Sequence, residues 1–229
     1  MGPIQSMTWV AENAGAVVMP VSGLAAEIDA SSFATRRPVI AVNPEGRSAC
    51  RARFGVAHEI GRFCLHIGVQ TGDKLTESQT NRFASAFLMP RRHFAPECRG
   101  ALRNSRLNWP ALSDMKMRWG VSKAAILYRG RQLGVFTEEQ YKTGGVSLHR
   151  RGEARGEEED ARIPVESPDL IADSMEVLKN AFGISRVTLA RQMNVHVALL
   201  DELLSARFGV QAPPASLANV ARLPSARAL

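Results

Sequence analysis

The stretch RARFGVAHEIGRFCLH, residues 51–66, decides how this chain is interpreted. It contains His58 and Glu59, a pair that begins the helical zinc motif H-E-x-x-H. In that motif two histidines one helical turn apart bind the same zinc ion, and the glutamate acts as general base on zinc-bound water. The second histidine position is occupied here by Arg62, whose guanidinium stays protonated and has no lone pair to give a metal.

The apolar spacing of this stretch predicts a helix. Ser48 is a suitable N-cap residue for a helix over roughly 49–67. Its predicted buried stripe consists of Val56, Ile60, Phe63, Cys64 and Ile67. His66 is too far from His58 to replace the missing ligand, because eight residues of helix span about 12 Å. Taken alone, the stretch therefore favours a structural histidine over a metal ligand.

A second predicted helix follows the loop after residue 67. The run Thr76-Glu77-Ser78-Gln79 fits a capping box, which predicts that the helix begins there. It is expected to run to Met89 and to stop near Pro90, since proline cannot continue the hydrogen-bond pattern of a helix.

Together, the two blocks 51–66 and 77–94 resemble the ImmA/IrrE family, zinc metallopeptidase-like domains encoded beside bacterial repressors. The approximate family pattern is R-F-x-x-A-H-E-x-x-H-x-x-L-H followed by E-x-x-A-N-x-F-A-x-x-L-L-M-P. The matching residues are Arg53, Phe54, Ala57, His58, Glu59, Leu65 and His66 in the first block, and Glu77, Asn81, Phe83, Ala84, Leu88, Met89 and Pro90 in the second. The resemblance extends loosely over residues 2–150 and weakly to the segment 166–168.

The resemblance implies a zinc cofactor and a set of site residues. It implies that His58 is the first zinc ligand, Glu59 the general base and Glu77 the third ligand. The second ligand position is Arg62, and at this residue the sequence departs from the family. The resemblance also implies a helix-turn-helix repressor as substrate or partner. Because the chain begins within the peptidase-like part, we expect a stand-alone or shortened member with a separately encoded repressor.

The sequence is compatible with three states of the site around Arg62. The site can be inactive, with the guanidinium inserted between the carboxylates in place of zinc. Zinc can instead bind weakly through His58, Glu77 and another group such as His93. Arg62 can also be a single-step variant of an active enzyme. We favour the first, in which Arg62 pairs with Glu77 or Glu59, since an arginine facing two carboxylates is well compensated.

The predicted fold class is α+β, with a small antiparallel or mixed sheet packed on the two-helix core and mostly helical segments after it. The strands are predicted at 16–21 and 38–44, with a third near 26–30. The predicted divisions are a metallopeptidase-like domain, a helix-turn-helix-like extension, a linker or exposed loop, a small helical unit and a disordered tail, at 1–105, 106–149, 150–168, 169–208 and 209–229.

The basic excess of the chain is confined to one segment. Residues 91–131 contain ten Lys or Arg against two acidic residues, whereas the net charge of the whole chain is +7. The helix pair predicted at 107–120 and 122–133 lies in this segment, so Lys123, Arg129 and Arg131 are candidate phosphate contacts. A non-catalytic regulator that binds repressor or DNA through residues 91–131 is therefore the alternative function. A helix pair that simply packs on the core is the structural alternative.

Composition and the absence of certain motifs argue against several other classes of protein. Three widely spaced cysteines outside any C-x-x-C pattern favour reduced thiols over a disulfide framework. There is no apolar run of about 18–20 residues and no signal-peptide pattern at the N-terminus, so we expect a cytoplasmic protein without a membrane partner. Nucleotide-binding glycine motifs and the serine-hydrolase G-x-S-x-G motif are absent from the sequence.

Overall fold

The computed structural model of the chain describes residues 2–21, 24–25, 28–45, 48–69 and 71–205. The chain begins with helix α1 (Met7–Asn13), which is N-capped by the Ser6 hydroxyl, and continues into strand β1 (Val17–Pro20). Strand β1 lies within the strand predicted at 16–21. The buried residues of α1 and β1, such as Met7 and Val18, begin the hydrophobic core.

A three-stranded mixed sheet forms one side of this core. Its central strand β3 (Val39–Val42) is parallel to β1 and antiparallel to β2 (Ala30–Phe33), which confirms the predicted small mixed sheet. The third strand was predicted near 26–30, but the described strand begins at Ala30, later in the chain. The segment Ala-Ser-Ser-Phe gives a weak strand signal, because serine has little preference for strands.

Helix α2 (Ala49–Leu65) packs on the sheet and contains the His-Glu pair. The Ser48 side chain accepts a hydrogen bond from Arg51 N, which confirms the predicted N-cap. The predicted buried stripe is partly wrong, because Cys64 and Ile67 are exposed. The buried face consists instead of small, apolar and paired polar residues, namely Ala49, Cys50, Arg53, Gly55, Val56, Ala57, Glu59 and Gly61.

Helix α3 (Lys74–Leu88) lies against α2 in the most extensive helix–helix contact of the described chain. The predicted capping box at Thr76 is wrong. The N-cap is Asp73, whose carboxylate accepts hydrogen bonds from Leu75 N and Thr76 N. The Thr76 hydroxyl also donates to this carboxylate. The helix therefore begins before Thr76, and its C-cap is Met89.

Four more helices and a two-stranded hairpin complete the central part. They are α4 (Arg91–Gly100), β4 (Leu102–Arg103), β5 (Arg106–Leu107), α5 (Trp109–Trp119), α6 (Lys123–Gln132) and α7 (Glu138–Arg150). Helices α5 and α6 are the predicted pair, joined by a turn in which Gly120 has a φ of 62°. Trp119, Ile126 and Leu127 point into the core, as the structural alternative for this pair predicts.

The segment predicted as a linker or exposed loop makes buried contacts with the helix pair. It contains a 3-10 helix at Glu158–Arg162, and the side chains of Glu157 and Glu159 are buried. Glu157 Oε2 lies 2.7 Å from Nζ of Lys116, and Glu159 Oε2 lies 2.9 Å from Nζ of Lys123. Glu157 and Glu159 are therefore exceptions in a segment most of whose residues are exposed. Its acidic residues neutralise cations of α5 and α6 that have no access to water.

Glu166, at the end of this segment, also contacts residues near the start of the chain. Oε2 of Glu166 accepts hydrogen bonds from the Ser6 hydroxyl at 3.2 Å and from Thr8 N at 2.7 Å. Its Oε1 is ion-paired with Arg53, which also donates to backbone carbonyls of the N-terminal segment. Arg53 is one of the residues that carry the family resemblance. Its buried guanidinium ties α2 to both the first and the later part of the chain.

Three further helices follow, α8 (Leu170–Phe182), α9 (Arg186–Gln192) and α10 (Val197–Ser205). They lie within the segment 169–208 that was predicted as a small helical unit. The tail predicted as disordered lies outside the described residues. In the described part of the chain, we find no helix that combines the length and the hydrophobicity needed to cross a membrane.

Candidate functional site

The candidate site lies where α2 crosses α3. His58, Glu59 and Arg62 are on α2, and Glu77 is on the facing helix α3. Gly61 allows the close approach of the two helices, since a Cβ atom added there lies only 2.8 Å from Cδ1 of Phe83. The fold therefore brings together the residues that the sequence assigns to the site.

The His58 ring is held between two side chains of α3. Its Nδ1 lies 3.0 Å from Oδ1 of Asn81, and its Nε2 lies 3.4 Å from Oε2 of Glu77. An amide oxygen can only accept, so this contact favours the tautomer with its hydrogen on Nδ1 and leaves Nε2 facing the carboxylate. A histidine that binds a metal is oriented by this kind of second hydrogen bond. The first and third ligand positions thus retain an arrangement suited to a metal.

The Arg62 side chain has a different environment. Its Nη1 lies 3.6 Å from Oε2 of Glu59, one turn earlier on α2, and its Nη2 donates a hydrogen bond to the Thr71 hydroxyl. Of the two carboxylates named as possible partners of Arg62, Glu59 is the one that forms an ion pair in the described structure. Arg62 is about a quarter exposed, so its charge is partly hydrated.

Glu59 is buried, and its carboxylate is already engaged. The side chain is only 3% exposed, and its Oε2 accepts a hydrogen bond from the Ser32 hydroxyl on strand β2. Burial of a carboxylate without partners is costly, and the hydroxyl together with the nearby guanidinium compensates it. One of the two oxygens of this carboxylate, Oε2, is therefore in contact with two side chains of the protein.

The donor set does not fit a zinc site with three protein ligands. Among the described residues, no three His, Cys, Asp or Glu side chains are grouped so that they could hold a metal ion. His93, the alternative ligand considered from the sequence, therefore does not complete a site with His58 and Glu77. Arg62, at the second ligand position, has no lone pair and adds a positive charge. No catalytic step through zinc follows from these residues.

The candidate phosphate contacts of α6 are already paired within the chain. Lys123 is buried, and its ammonium lies 3.0 Å from Glu153 and 2.9 Å from Glu159. Arg129 donates from Nε to the Met89 carbonyl, and Arg131 is ion-paired with Glu138 at 3.2 Å. In this conformation, Lys123 in particular has no access to a phosphate.

Three residues of the site had no role assigned from the sequence. Asn81 lies four residues after Glu77, so helical spacing alone places both on one face of α3. From that spacing, the sequence could have predicted that Asn81 contacts His58. Ser32 and Thr71 gave no such signal, because they reach the site from a strand and a loop whose positions depend on the tertiary fold.

Comparison with known proteins gives a result consistent with this geometry. The family model described as the IrrE N-terminal-like domain, Peptidase M78, matches residues 11–130. The matched range begins in α1 and ends in α6, and it contains all the residues of the candidate site from Ser32 to Asn81. A search of curated proteins gives no match to this chain.

Proposed function

Because the chain belongs to the IrrE N-terminal-like family of metallopeptidase domains, we propose that it acts with a helix-turn-helix transcriptional repressor. We also propose that Arg62, at the position of a zinc ligand, prevents the zinc-dependent reaction. The observation that carries this proposal is the ion pair between Arg62 and the general-base residue Glu59. Members of the family are generally zinc-dependent. In this chain a fixed guanidinium occupies the ligand position, and its partner is the carboxylate that would activate water.

Such a site can bind a polypeptide without cleaving it. Arg62 and the Asn81 amide supply hydrogen-bond donors to a peptide carbonyl. His58 and Glu77 remain close enough to contact the same segment. Hydrolysis needs a water held by the general base and the metal, and here Oε2 of Glu59 already contacts Ser32 and Arg62. The proposed activity is therefore binding and sequestration of the repressor.

The test uses, as the proposed partner, a helix-turn-helix repressor from a gene next to the one that encodes this protein. We expect light scattering after mixing to detect a stable complex, and intact mass spectrometry to detect no cleavage. The variant Arg62→His, assayed with added zinc, is expected to gain cleavage activity. Cleavage by the unmodified protein that disappears in Glu59→Gln would contradict the proposal. Absence of any complex would contradict the repressor as partner.

Nucleic-acid binding is a second candidate, supported by the exposed arginines of α4 and of the β4–β5 hairpin. These arginines are Arg91, Arg92, Arg99, Arg103 and Arg106. None of them has a carboxylate partner in the part of the chain that the structure describes. Exposed arginines without a carboxylate partner can contact phosphates, and such contacts make binding salt-dependent.

This candidate is tested by DNA retention at increasing salt. Arg103→Ala combined with Arg106→Ala is expected to reduce both the retention and its salt dependence. Arg186→Ala is the control, because Arg186 is exposed but is ion-paired with Asp201 outside this segment. Retention that does not change in the double variant would exclude the hairpin as a phosphate-binding surface.

A further inference from the structure

A cavity of about 330 Å³ adjoins the candidate site and is not part of the His58–Arg62 arrangement. It lies between α2, α3 and α6, and its apolar walls are formed by Cys50, Phe54, Ala125 and Tyr128. A volume near 300 Å³ is at the lower end of the range for sites that bind small ligands. The cavity can therefore hold one large side chain or a molecule of similar size.

Asn81 connects this cavity to the site. Its side chain lines the cavity, and its Oδ1 is 3.0 Å from Nδ1 of His58. Nδ2 of Asn81 donates no hydrogen bond to another described residue, so its two hydrogens are available to an acceptor. An occupant with an apolar body and one nearby carbonyl would satisfy both the walls and this amide.

The charges at the cavity argue against a charged occupant. Arg51 and Asp29 both line it, and they are ion-paired with each other at 3.1 Å. Because the two charges offset one another, neither is left to attract an ion of opposite sign. The thiol of Cys50 is in its neutral form, since burial raises its pKa to about 11. The lining therefore favours a neutral, apolar group.

We propose that this cavity is a recognition pocket for one aromatic side chain of a bound polypeptide, with the adjacent backbone carbonyl accepting from Asn81. The pocket then fixes which segment of the partner lies across His58 and Arg62. The inference rests on the proposed function in one respect, namely that the occupant belongs to a bound protein. A free aromatic metabolite has the same chemistry, so the experiment must separate the two sources.

The experiment measures binding of small probes to the full chain by NMR chemical-shift titration. The probes are N-acetyl-phenylalaninamide, N-acetyl-leucinamide, N-acetyl-lysinamide, N-acetyl-aspartamide and free phenylalanine. We expect the first probe to bind with a Kd of about 1 mM, which is typical for a ligand of this size. We expect the leucine probe to bind several times more weakly and the two charged probes not to bind. Tighter binding of free phenylalanine would assign the pocket to a metabolite and overturn the peptide occupant.

A matched pair of variants on α6 tests the location. Ala125 lines the cavity, whereas its neighbour Ala124 is exposed. Ala125→Trp fills the space and is expected to weaken binding of the phenylalanine probe at least tenfold, while Ala124→Trp leaves its Kd unchanged. If Ala125→Trp does not fold, Tyr128→Ala, which removes one wall, is expected to weaken binding severalfold. An unchanged Kd in a folded Ala125→Trp or Tyr128→Ala variant would overturn the proposal.

The outcome separates this inference from the proposed function. If the probe binds in the pocket but the repressor forms no complex, the pocket is supported and the repressor partner is wrong. If the repressor binds equally well to wild type and to a folded Ala125→Trp variant, the proposed partner is supported and the pocket does not recognise it.

Discussion

The Nη1 atom of Arg62 lies 3.6 Å from Oε2 of Glu59, so the residue that departs from the zinc motif is ion-paired with the motif's general base. Loss of the guanidinium leaves the buried carboxylate with the Ser32 hydroxyl as its remaining described partner. We expect Arg62→Met to lower the free energy of unfolding by about 1–2 kcal/mol, because a buried charge loses its compensation. Arg82→Met is the control, since Arg82 is an exposed arginine of α3.

A double-mutant cycle with Glu59→Gln isolates this interaction. Urea unfolding of the two single variants and the double variant is expected to give a coupling energy above about 0.5 kcal/mol. Simple additivity of the two single effects would show that the ion pair contributes nothing to stability.

A second prediction concerns the crossing of α2 and α3. A Cβ atom at Gly61 would lie 2.8 Å from Cδ1 of Phe83 and 3.2 Å from Cγ2 of Thr80. Gly61→Ala is therefore expected to destabilise the protein by about 1–3 kcal/mol, because the helices must separate. In α7 a Cβ atom at Gly145 meets no atom within 4 Å. Gly145→Ala is expected to stabilise by up to about 1 kcal/mol, and equal effects of the two substitutions on the thermal midpoint would contradict this packing.

The buried lysine of α5 gives a third prediction. Lys116 is fully buried, with its ammonium 2.7 Å from Glu157 and ion-paired with Asp160. Lys116→Met leaves two carboxylates without their cation and is expected to cost about 3–5 kcal/mol in urea unfolding. Lys142→Met removes an exposed pair with Glu138 at 3.8 Å and is expected to change stability by less than about 0.5 kcal/mol. Comparable losses of unfolding free energy in the two variants would show that the buried ion pairs of Lys116 contribute no more than an exposed pair.

These ion pairs mark a limit of prediction from the sequence. The acidic run before residue 163 has the composition of a solvated loop, and the basic residues of α5 and α6 have that of a phosphate-binding surface. Each interpretation is reasonable locally. The two sets neutralise each other across 30 residues or more, for example Lys123 with Glu153, and no local pattern encodes such a pairing. The same limit explains why Ser32 and Thr71 were not foreseen at the site.

Caps and turns were predicted correctly from the local sequence where only one residue suited the position. The Ser48 cap and the turn at Gly120 were predicted correctly, because each position has one good candidate. The start of α3 was misplaced, since Asp73 and Thr76 are both suitable caps three residues apart. The buried face of α2 was misjudged because Arg53 and Glu59 are buried as compensated charges. A hydrophobic pattern assigns such residues to the surface.

The pH dependence of stability gives a fourth prediction. Burial alone would raise the pKa of Glu159, but hydrogen bonds from Ser113 and Lys123 outweigh it, and the pKa is lowered from 4.5. A carboxyl group with a depressed pKa stabilises the fold above its unfolded pKa and loses that contribution as the pH falls through the folded value. The urea midpoint of Glu159→Gln should therefore lie below that of wild type at neutral pH.

This difference should shrink as the pH falls below 4.5 towards about 3. Glu158→Gln is the control, because Glu158 is the exposed neighbour in the same 3-10 helix. A gap between Glu159→Gln and wild type that stays constant over this pH range would contradict the assigned charge state.

We propose that Arg62 has replaced a zinc ligand, and the metal content of the purified protein tests this most directly. Elemental analysis of purified protein should give well below one zinc per chain for wild type. Arg62→His should bind close to one zinc per chain, because His58, the new histidine and Glu77 then form a three-ligand set with an open position. Arg62→Gln, which removes the charge without adding an imidazole, should stay low. One zinc per chain in the wild-type protein would contradict the account.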